Sequence, residues 1–424
     1  MMVLIAHAAD IHLGKSFQRI ASEERDRDID EAFRQMLDFI ISEHLKILII
    51  SGDLFDRPRP SNFTLASFKE SVKEFLSSGG RIILVNGDHD TAAESDITAT
   101  DLVSRYLNGV YHLRHFVKRE HELNIEEDGV KLNFFGLGAI RGPRGLKQGQ
   151  EIMKRINEIA RTEQGRNIMV SHISIKEIFP IAEGHSLDSL PSNIDYYALG
   201  HIHRRIINNV KDGILAYPGS LEIISRDEID DWKKKGKGFY IVDLSSREPL
   251  VHQVNLDIRP QEKFGISSEK EVQNLVAEVE KYLAQLYSDK MPVIHIELSD
   301  EIDSIKKALR PHVDRWQKQG VMTNLILNPS KAETSSIEYG TSGSMNELKI
   351  VNALVGDEHL ARLIIELKNC LSMSDEQQCG EIAKEITSKK EYWDKALKEW
   401  PKSSAESSTQ KKNLSEAGLG KFMG

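Results

Sequence analysis

Five short segments of the chain carry the side chains that hard and borderline metal ions prefer. They are Asp10-Ile11-His12, Gly52-Asp53, Gly87-Asp88-His89-Asp90, Ser171-His172 and Gly200-His201-Ile202-His203. Carboxylates and imidazoles with no thiol among them suit Mn, Fe, Mg or Zn as divalent ions. The groups outnumber the ligands of one ion, which takes about six. Two ions roughly 3.5–4 Å apart, sharing a carboxylate and a water, use most of them. The pair His201 and His203 follows the apolar run Tyr196-Tyr197-Ala198-Leu199. Residues i and i+2 of a strand face one side, and a tight glycine turn past its end still aims both rings at one point.

These segments need elements to hold them, and the same spacing of apolar residues supplies them. Val3 to Ala8, Ile47 to Ile50, Ile82 to Val85, Lys131 to Leu137 and Ile168 to Val170 read as strands. Between them Ile29, Phe33, Met36, Leu37 and Ile40 recur at helical spacing, as do Phe63, Leu65, Phe68, Val72 and Phe75. Strand and helix in alternation predict an α/β layered core, and ligand sites in such sheets gather beyond the carboxyl ends of strands. Gly213 to Tyr217 and Gly238 to Asp243 read as strands with no helix between them, which predicts a second, mixed or antiparallel sheet.

Composition narrows the class. At 424 residues the chain exceeds one usual core, so two or three domains are expected. No run of about 18 apolar residues occurs, which argues against a membrane span. Met1 to Ile5 is too short for a signal peptide and leads straight to Asp10. Two cysteines exclude a disulfide framework and fit a reducing cytosol. The net charge of −9 lends nothing to nucleic-acid binding, although local basic groups stand near the ligand segments. These are Arg57, Arg59, Arg141, Arg144, Lys147, Arg204, Arg205 and the run Lys233, Lys234, Lys235 and Lys237. The remaining histidines, His7 and His185 among them, show no ligand spacing with an acid and read as structural or exposed.

The five segments together resemble the calcineurin-like metallophosphoesterases. Asp10-Ile11-His12-Leu13-Gly14, Gly52-Asp53-Leu54-Phe55-Asp56 with Arg59-Pro60-Ser61, and Ala216-Tyr217-Pro218-Gly219-Ser220-Leu221-Glu222 narrow the likeness. Together they are similar to the meiotic-recombination-11/SbcD nucleases of DNA double-strand break repair, in an archaeal rather than a eukaryotic form. The resemblance covers residues 1–250 best. It implies a four-layer α/β/β/α core over 1–254, a small α+β capping domain over 255–330, a flexible linker over 331–344, and a tethered helical segment over 345–401 before a mostly disordered tail, 402–424. It also implies two Mn²⁺ ions, with Mg²⁺, Fe²⁺ or Zn²⁺ as alternatives. Asp10, His12 and His203 then hold one ion, Asp88, His172 and His201 the other, and Asp53 bridges. His89 contacts the scissile phosphate and protonates the leaving 3′ oxygen, while Asp90 orients a histidine.

Two positions depart from that family. Asp88 stands where Asn is usual, which adds a charge, tightens metal binding and makes the bridging water less acidic. Asp56 stands where His is frequent, so a catalytic part and a plain capping of the next element are both open.

Beyond the core, Val272, Val276, Val279 and Leu283 share a helical face and Val293 to Leu298 reads as a strand. In the tethered segment Leu360, Leu363, Ile364, Leu367 and Leu371 form an apolar stripe. The resemblance assigns that stripe to the coiled coil of an SbcC-type ATPase, and it implies a homodimer for which the helix bearing Phe63 and Phe68 is a candidate face. The function so implied is a cytoplasmic, nucleoid-associated DNA exonuclease and endonuclease. Two rivals stay open: a phosphodiesterase for small molecules, and a DNA-end tether with weak catalysis.

Overall fold

Alternate residues of the short apolar strands face two different cores. In β2 (Ile47–Ser51), Ile47 and Ile49 enter a core shared by two sheets, while Leu48 and Ile50 enter one shared with helices. Both faces are covered, so the run is apolar throughout instead of alternating. The computed structural model describes residues 3–327 apart from 18–19, 21–22, 92–96, 116–121, 141, 181–183, 300–301 and the side chains of 142–144; residues 362 and 365 are described besides.

The first sheet holds β1 (Leu4–Ala8), β2, β3 (Arg81–Val85) and β4 (Val110–His112), parallel and in that order. The second is built on β5 (Leu123–Glu127), β6 (Val130–Leu137), β7 (Arg166–His172), β8 (Tyr196–Gly200), β9 (Ile206–Val210) and β10 (Gly213–Tyr217). Its order is β5-β6-β7-β8-β10-β9, with only β5 and β9 antiparallel to their neighbours. Helices α1 (Glu23–Ser42), α2 (Asn62–Ser77) and α3 (Ala99–Tyr106) pack outside the first sheet, through Phe33, Phe68 and Val103 among others. Outside the second sheet, α4 (Gly142–Ala160) packs through Met153 and Ile156. The result is the four-layer α/β/β/α order expected from the sequence.

The reading of the last two core strands is corrected. A short helix, α5 (Ile229–Lys235), does lie between β10 and β11 (Gly238–Asp243). The two strands part company: β10 joins β8 in the second sheet, whereas β11 crosses to the first and pairs antiparallel with β1, Ile5 opposite Val242. β12 (Leu250–Asn255) then adds to its edge. Seven residues of Asp/Lys-rich helix carry too weak an apolar pattern to be read.

A third, three-stranded sheet follows, built from β13 (Gln261–Ile266), α6 (Val272–Gln285), β14 (Val293–Leu298), α7 (Ile302–Lys318) and β15 (Met322–Leu327). The α+β reading is refined here. β13, half polar and unread in the sequence, makes the sheet wholly parallel, β13-β14-β15. Ile294, Ile296 and Leu298 face the two helices, and Trp316 closes that core. Arg259, 2% exposed, ties this unit to α1 by ion pairs to Asp28 and Glu24 at 2.7 Å each. The linker, helical segment and tail expected over 331–424 lie outside the described residues, 362 and 365 excepted. Of the two aromatics offered as a dimer face, Phe68 is in the core, stacked on Phe33. Phe63 alone is exposed, by 78%.

Candidate metal centre

The ligand segments follow β1, β2, β3, β7 and β8, all parallel within their sheets, so their carboxyl ends share one rim of the sandwich. The loops zip together there: Asp10 N donates to Gly52 O at 3.1 Å and His12 N to Asp53 O at 2.9 Å. Four of the site residues adopt left-handed backbone, Asp10 (φ 52°), His12 (φ 56°), Asp53 (φ 51°) and His201 (φ 95°). Such conformations cost free energy in non-glycine residues and persist where their surroundings impose them, commonly at functional sites. Gly52 and Gly200 are required for a different reason, close approach. A Cβ at Gly52, already at φ 86°, collides with the His172 ring, and one at Gly200 collides with Ser51 O.

The structure brings all seven expected ligands together in two groups. Ligand atoms of Asp10, His12 and His203 lie within 4.8 Å of one another, as do those of Asp88, His172 and His201. Asp53 reaches both: its Oδ2 stands 3.4 Å from His172 Nε2 and 3.8 Å from His12 Nε2. Within the first group His12 Nε2 and His203 Nε2 face each other at 3.3 Å. In the second, His201 Nδ1 is 2.9 Å from Asp88 Oδ2.

Hydrogen bonds behind the rings fix which nitrogen faces inward. His172 Nδ1 donates to Ser51 O at 2.9 Å, which leaves the Nε2 lone pair aimed at Asp53 and Asp88. That Nε2 is buried without a hydrogen-bond partner. A buried acceptor surrounded by carboxylates has no protein donor to meet; a cation satisfies all of them at once. The same demand shows in the protonation equilibria. Burial opposes a charged His172, yet the carboxylates of Asp53, Asp88 and Asp10 raise its pKa to about 10. Burial likewise raises Asp88, but His172 and His201 outweigh it and hold that carboxyl far below the usual range. Protons on imidazoles thus neutralise the carboxylates where divalent ions fit, and the residues present match a two-ion site.

Three further expectations concern the surroundings. Asp90, fully buried, does not orient a histidine: its carboxylate accepts from the backbone N–H groups of Leu54, Phe55 and Gly87 at 2.9–3.2 Å. It clamps the Asp53 loop to the turn before Asp88, and burial together with Asp53 raises its pKa to about 6. Asp56 caps no helix, since Ser61 caps α2. Asp56 Oδ1 instead lies 3.4 Å from His12 Nδ1 and 2.9 Å from Lys15 Nζ. His89 stands exposed at the mouth, its Nδ1 donating to Asp56 O at 2.9 Å and its ring edge-on to His12.

The basic residues divide. Arg57, Arg59, Lys147 and Arg204 are exposed, and so are Lys233, Lys234 and Lys235. Arg205 and Lys237 are not available to a phosphate: both are buried, Arg205 on Val254 O and Lys235 O, Lys237 on Glu228. Arg141 lies outside the described residues, and nothing is described of the Arg144 side chain. Sequence reading missed Glu228, which accepts from His203 Nδ1 at 2.8 Å. The pattern Ser225-x-x-Glu228 reads as an ordinary capping box, which it also is. A cavity of about 200 Å³ opens beside Asp88, His172 and His201, walled by Leu137, Ile140 and Ile173, with buried His185 and Ser174 on its floor.

A four-layer sandwich with two His/Asp clusters on one rim defines a metallophosphoesterase, and residues 3–205 match the family Calcineurin-like phosphoesterase. Curated relatives include archaeal proteins that carry the name DNA double-strand break repair protein Mre11. That of Sulfolobus acidocaldarius is 26% identical over 90% of this chain and 98% of its own. That of Saccharolobus solfataricus is 29% identical over 71% and 76%, and that of Thermoplasma acidophilum 26% identical over 90% and 96%. Over residues 3–205 the chain thus matches the calcineurin-like phosphoesterases, and along most of its length it is similar to the archaeal Mre11 proteins.

Proposed function

We propose that the chain is a two-metal DNA phosphodiesterase of double-strand break repair, a 3′-to-5′ exonuclease on duplex ends and an endonuclease on single strands and hairpins. One observation carries the reading: two His/Asp clusters meet at a single buried carboxylate, Asp53. The named function of the archaeal relatives supports DNA as the substrate. Asp10, His12 and His203 would hold one ion, Asp88, His172 and His201 the other, with Asp53 between. When bound, two divalent ions, Mn²⁺ foremost, supply positive charge beside phosphoryl oxygens and acidify water. The chain does the rest. Asp10 and Asp53 fix their oxygens through left-handed turns, and the buried His172 excludes solvent from the floor. Asp56 O accepts from His89 Nδ1–H, which turns Nε2 to the exposed mouth, where the ring in its doubly protonated imidazolium form gives the Nε2 proton to a leaving oxygen. The cavity beside Asp88 gives the end of a strand room next to the reacting bond.

The test is release of labelled nucleotides from a blunt duplex in Mn²⁺, Mg²⁺, Zn²⁺ and chelator. Stepwise loss from the 3′ end in Mn²⁺, abolished in Asp53→Ala, is the expected result. Cleavage that survives the chelator or Asp53→Ala overturns the assignment. DNA retained but uncut with every ion leaves an end tether, and hydrolysis of a nitrophenyl phosphodiester alone moves the substrate to small molecules. We assign the partner, a coiled-coil ATPase of the SbcC type, to residues 345–401, and the homodimer to the face of α2 that exposes Phe63. No helix among the described residues is long and apolar enough to cross a membrane. A cytoplasmic, nucleoid-associated place is the one such a partner and substrate require.

A further inference from the structure

His203 turns its second nitrogen away from the metal centre, onto a carboxylate that no motif announces. Nδ1 donates to Glu228 Oε1 at 2.8 Å. Glu228 is 5% exposed, and its Oε2 takes the Lys237 ammonium together with Ser220 Oγ at 3.0 Å. Backbone N–H groups of Ile224 and Ser225 complete its donors at 3.3 and 2.9 Å. Lys237, 3% exposed, also donates to Ser220 Oγ at 2.6 Å and to the His203 carbonyl at 2.7 Å. The turn that carries Glu228 is held from its other side by Arg226 Nη1, 3.1 Å from Glu297 on β14.

A buried Lys–Glu pair is a poor device for stability alone. Removing two charges from water costs several kcal/mol per ion in real proteins, and apolar residues of the same volume often serve as well or better. The pair is explained by what its carboxylate touches. A carboxylate behind a ligand imidazole fixes the tautomer, aims the ring and makes the inward nitrogen more basic. Here the inward nitrogen, His203 Nε2, faces His12 Nε2 at 3.3 Å and Asp10 Oδ1 at 3.9 Å. The His172 ring of the other cluster rests on a neutral carbonyl instead.

We propose that Glu228, fixed by buried Lys237, is the positioning residue for His203, and that it sets the affinity of the Asp10/His12/His203 position without touching the other. The inference rests on the two-metal reading above. Its corollary is that the three-stranded unit, through Glu297 and Arg226, bears on one metal position.

The test uses the full chain and Mn²⁺ itself, followed by calorimetry and electron paramagnetic resonance. The variant Glu228→Met with Lys237→Met removes acceptor and counter-charge together, so no lone buried charge remains. It should unfold in chelator no earlier than the wild type. It should bind one ion about 10–100-fold more weakly and the other unchanged, giving an uncoupled single-ion spectrum where the wild type gives a spin-coupled one. Glu228→Gln with Lys237→Met restores an acceptor for His203 Nδ1–H and should recover part of the lost affinity. Both ions binding as in the wild type overturns the proposal. So does equal weakening of both with earlier unfolding in chelator, which marks a purely structural pair. A wild-type chain that binds no divalent ion removes the metal reading, and this inference with it.

Discussion

Within the site, single residues are constrained more by geometry than by ligand chemistry. Gly52 is not a ligand, yet a methyl group there collides with the His172 ring, and its φ of 86° already disfavours any side chain. Gly52→Ala should therefore cost about 1–3 kcal/mol of stability and displace His172. We expect an earlier urea midpoint in chelator and weakened binding of the ion at Asp88, His172 and His201. Asp88 is a proposed ligand whose charge is in question. Its carboxylate lies 2.9 Å from His201 Nδ1 and 3.5 Å from His172 Nε2. Asp88→Asn keeps an oxygen and removes a charge from the cluster. Mn²⁺ affinity should fall about 10-fold while turnover at saturating Mn²⁺ rises, because less negative charge leaves water a stronger acid. A titration of nuclease rate against Mn²⁺ separates the two effects, and a fall in both would refute the argument. The five segments that carry Asp10, His12, Asp53, Asp88, His172, His201 and His203 were legible in the sequence as polar residues abruptly ending apolar runs, and the family resemblance singled out these seven within them. Glu228 was not, because a carboxylate three residues after a serine serves a helix start in most chains.

Among the elements, α2 shows how one helix carries two duties on two faces. Its spacing predicted Phe63 and Phe68 together, but they differ in direction by five helical steps. Phe68 packs between Phe33 and Phe55, and Phe63 is exposed. Phe68→Ala should cost about 3–5 kcal/mol, the usual range for an aromatic removed from a core. Phe63→Ala should change monomer stability by no more than about 0.5 kcal/mol while shifting the proposed dimer toward monomer, read by sedimentation. A stable Phe68→Ala chain, or a Phe63→Ala chain that dimerises unaltered, would overturn one half of this contrast each. The helix itself was legible, but its N-cap, Ser61, was not. The small elements were not: α5 has seven residues, and β13 is half polar, so neither offers a full period to count.

For the whole molecule, the ions and the fold are linked. The site gathers buried carboxylates and imidazoles from both sheets, so an ion that binds only the folded chain stabilises all of it. At a free Mn²⁺ concentration 100 times the dissociation constant, one site adds about 2.7 kcal/mol. Thermal unfolding should move upward in Mn²⁺ and return in chelator, and Asp53→Ala should lose most of that shift. A melting temperature indifferent to Mn²⁺ and chelator alike would count against two ions held between the sheets.

The sequence by itself determined the chemistry and the local elements. Ligand types, strand ends and apolar periods depend on neighbours a few residues apart, and such neighbours are written next to one another. What only the tertiary structure decided is which distant segments meet. β11 leaves β10 and pairs with β1, because its apolar faces complete the first sheet's two cores, and no local pattern says which sheet has the open edge. Lys237, the last of a lysine run, turns inward to Glu228 while its exposed neighbours do not. The side-chain types are alike along that run; burial separates them, and burial is a property of the assembled chain.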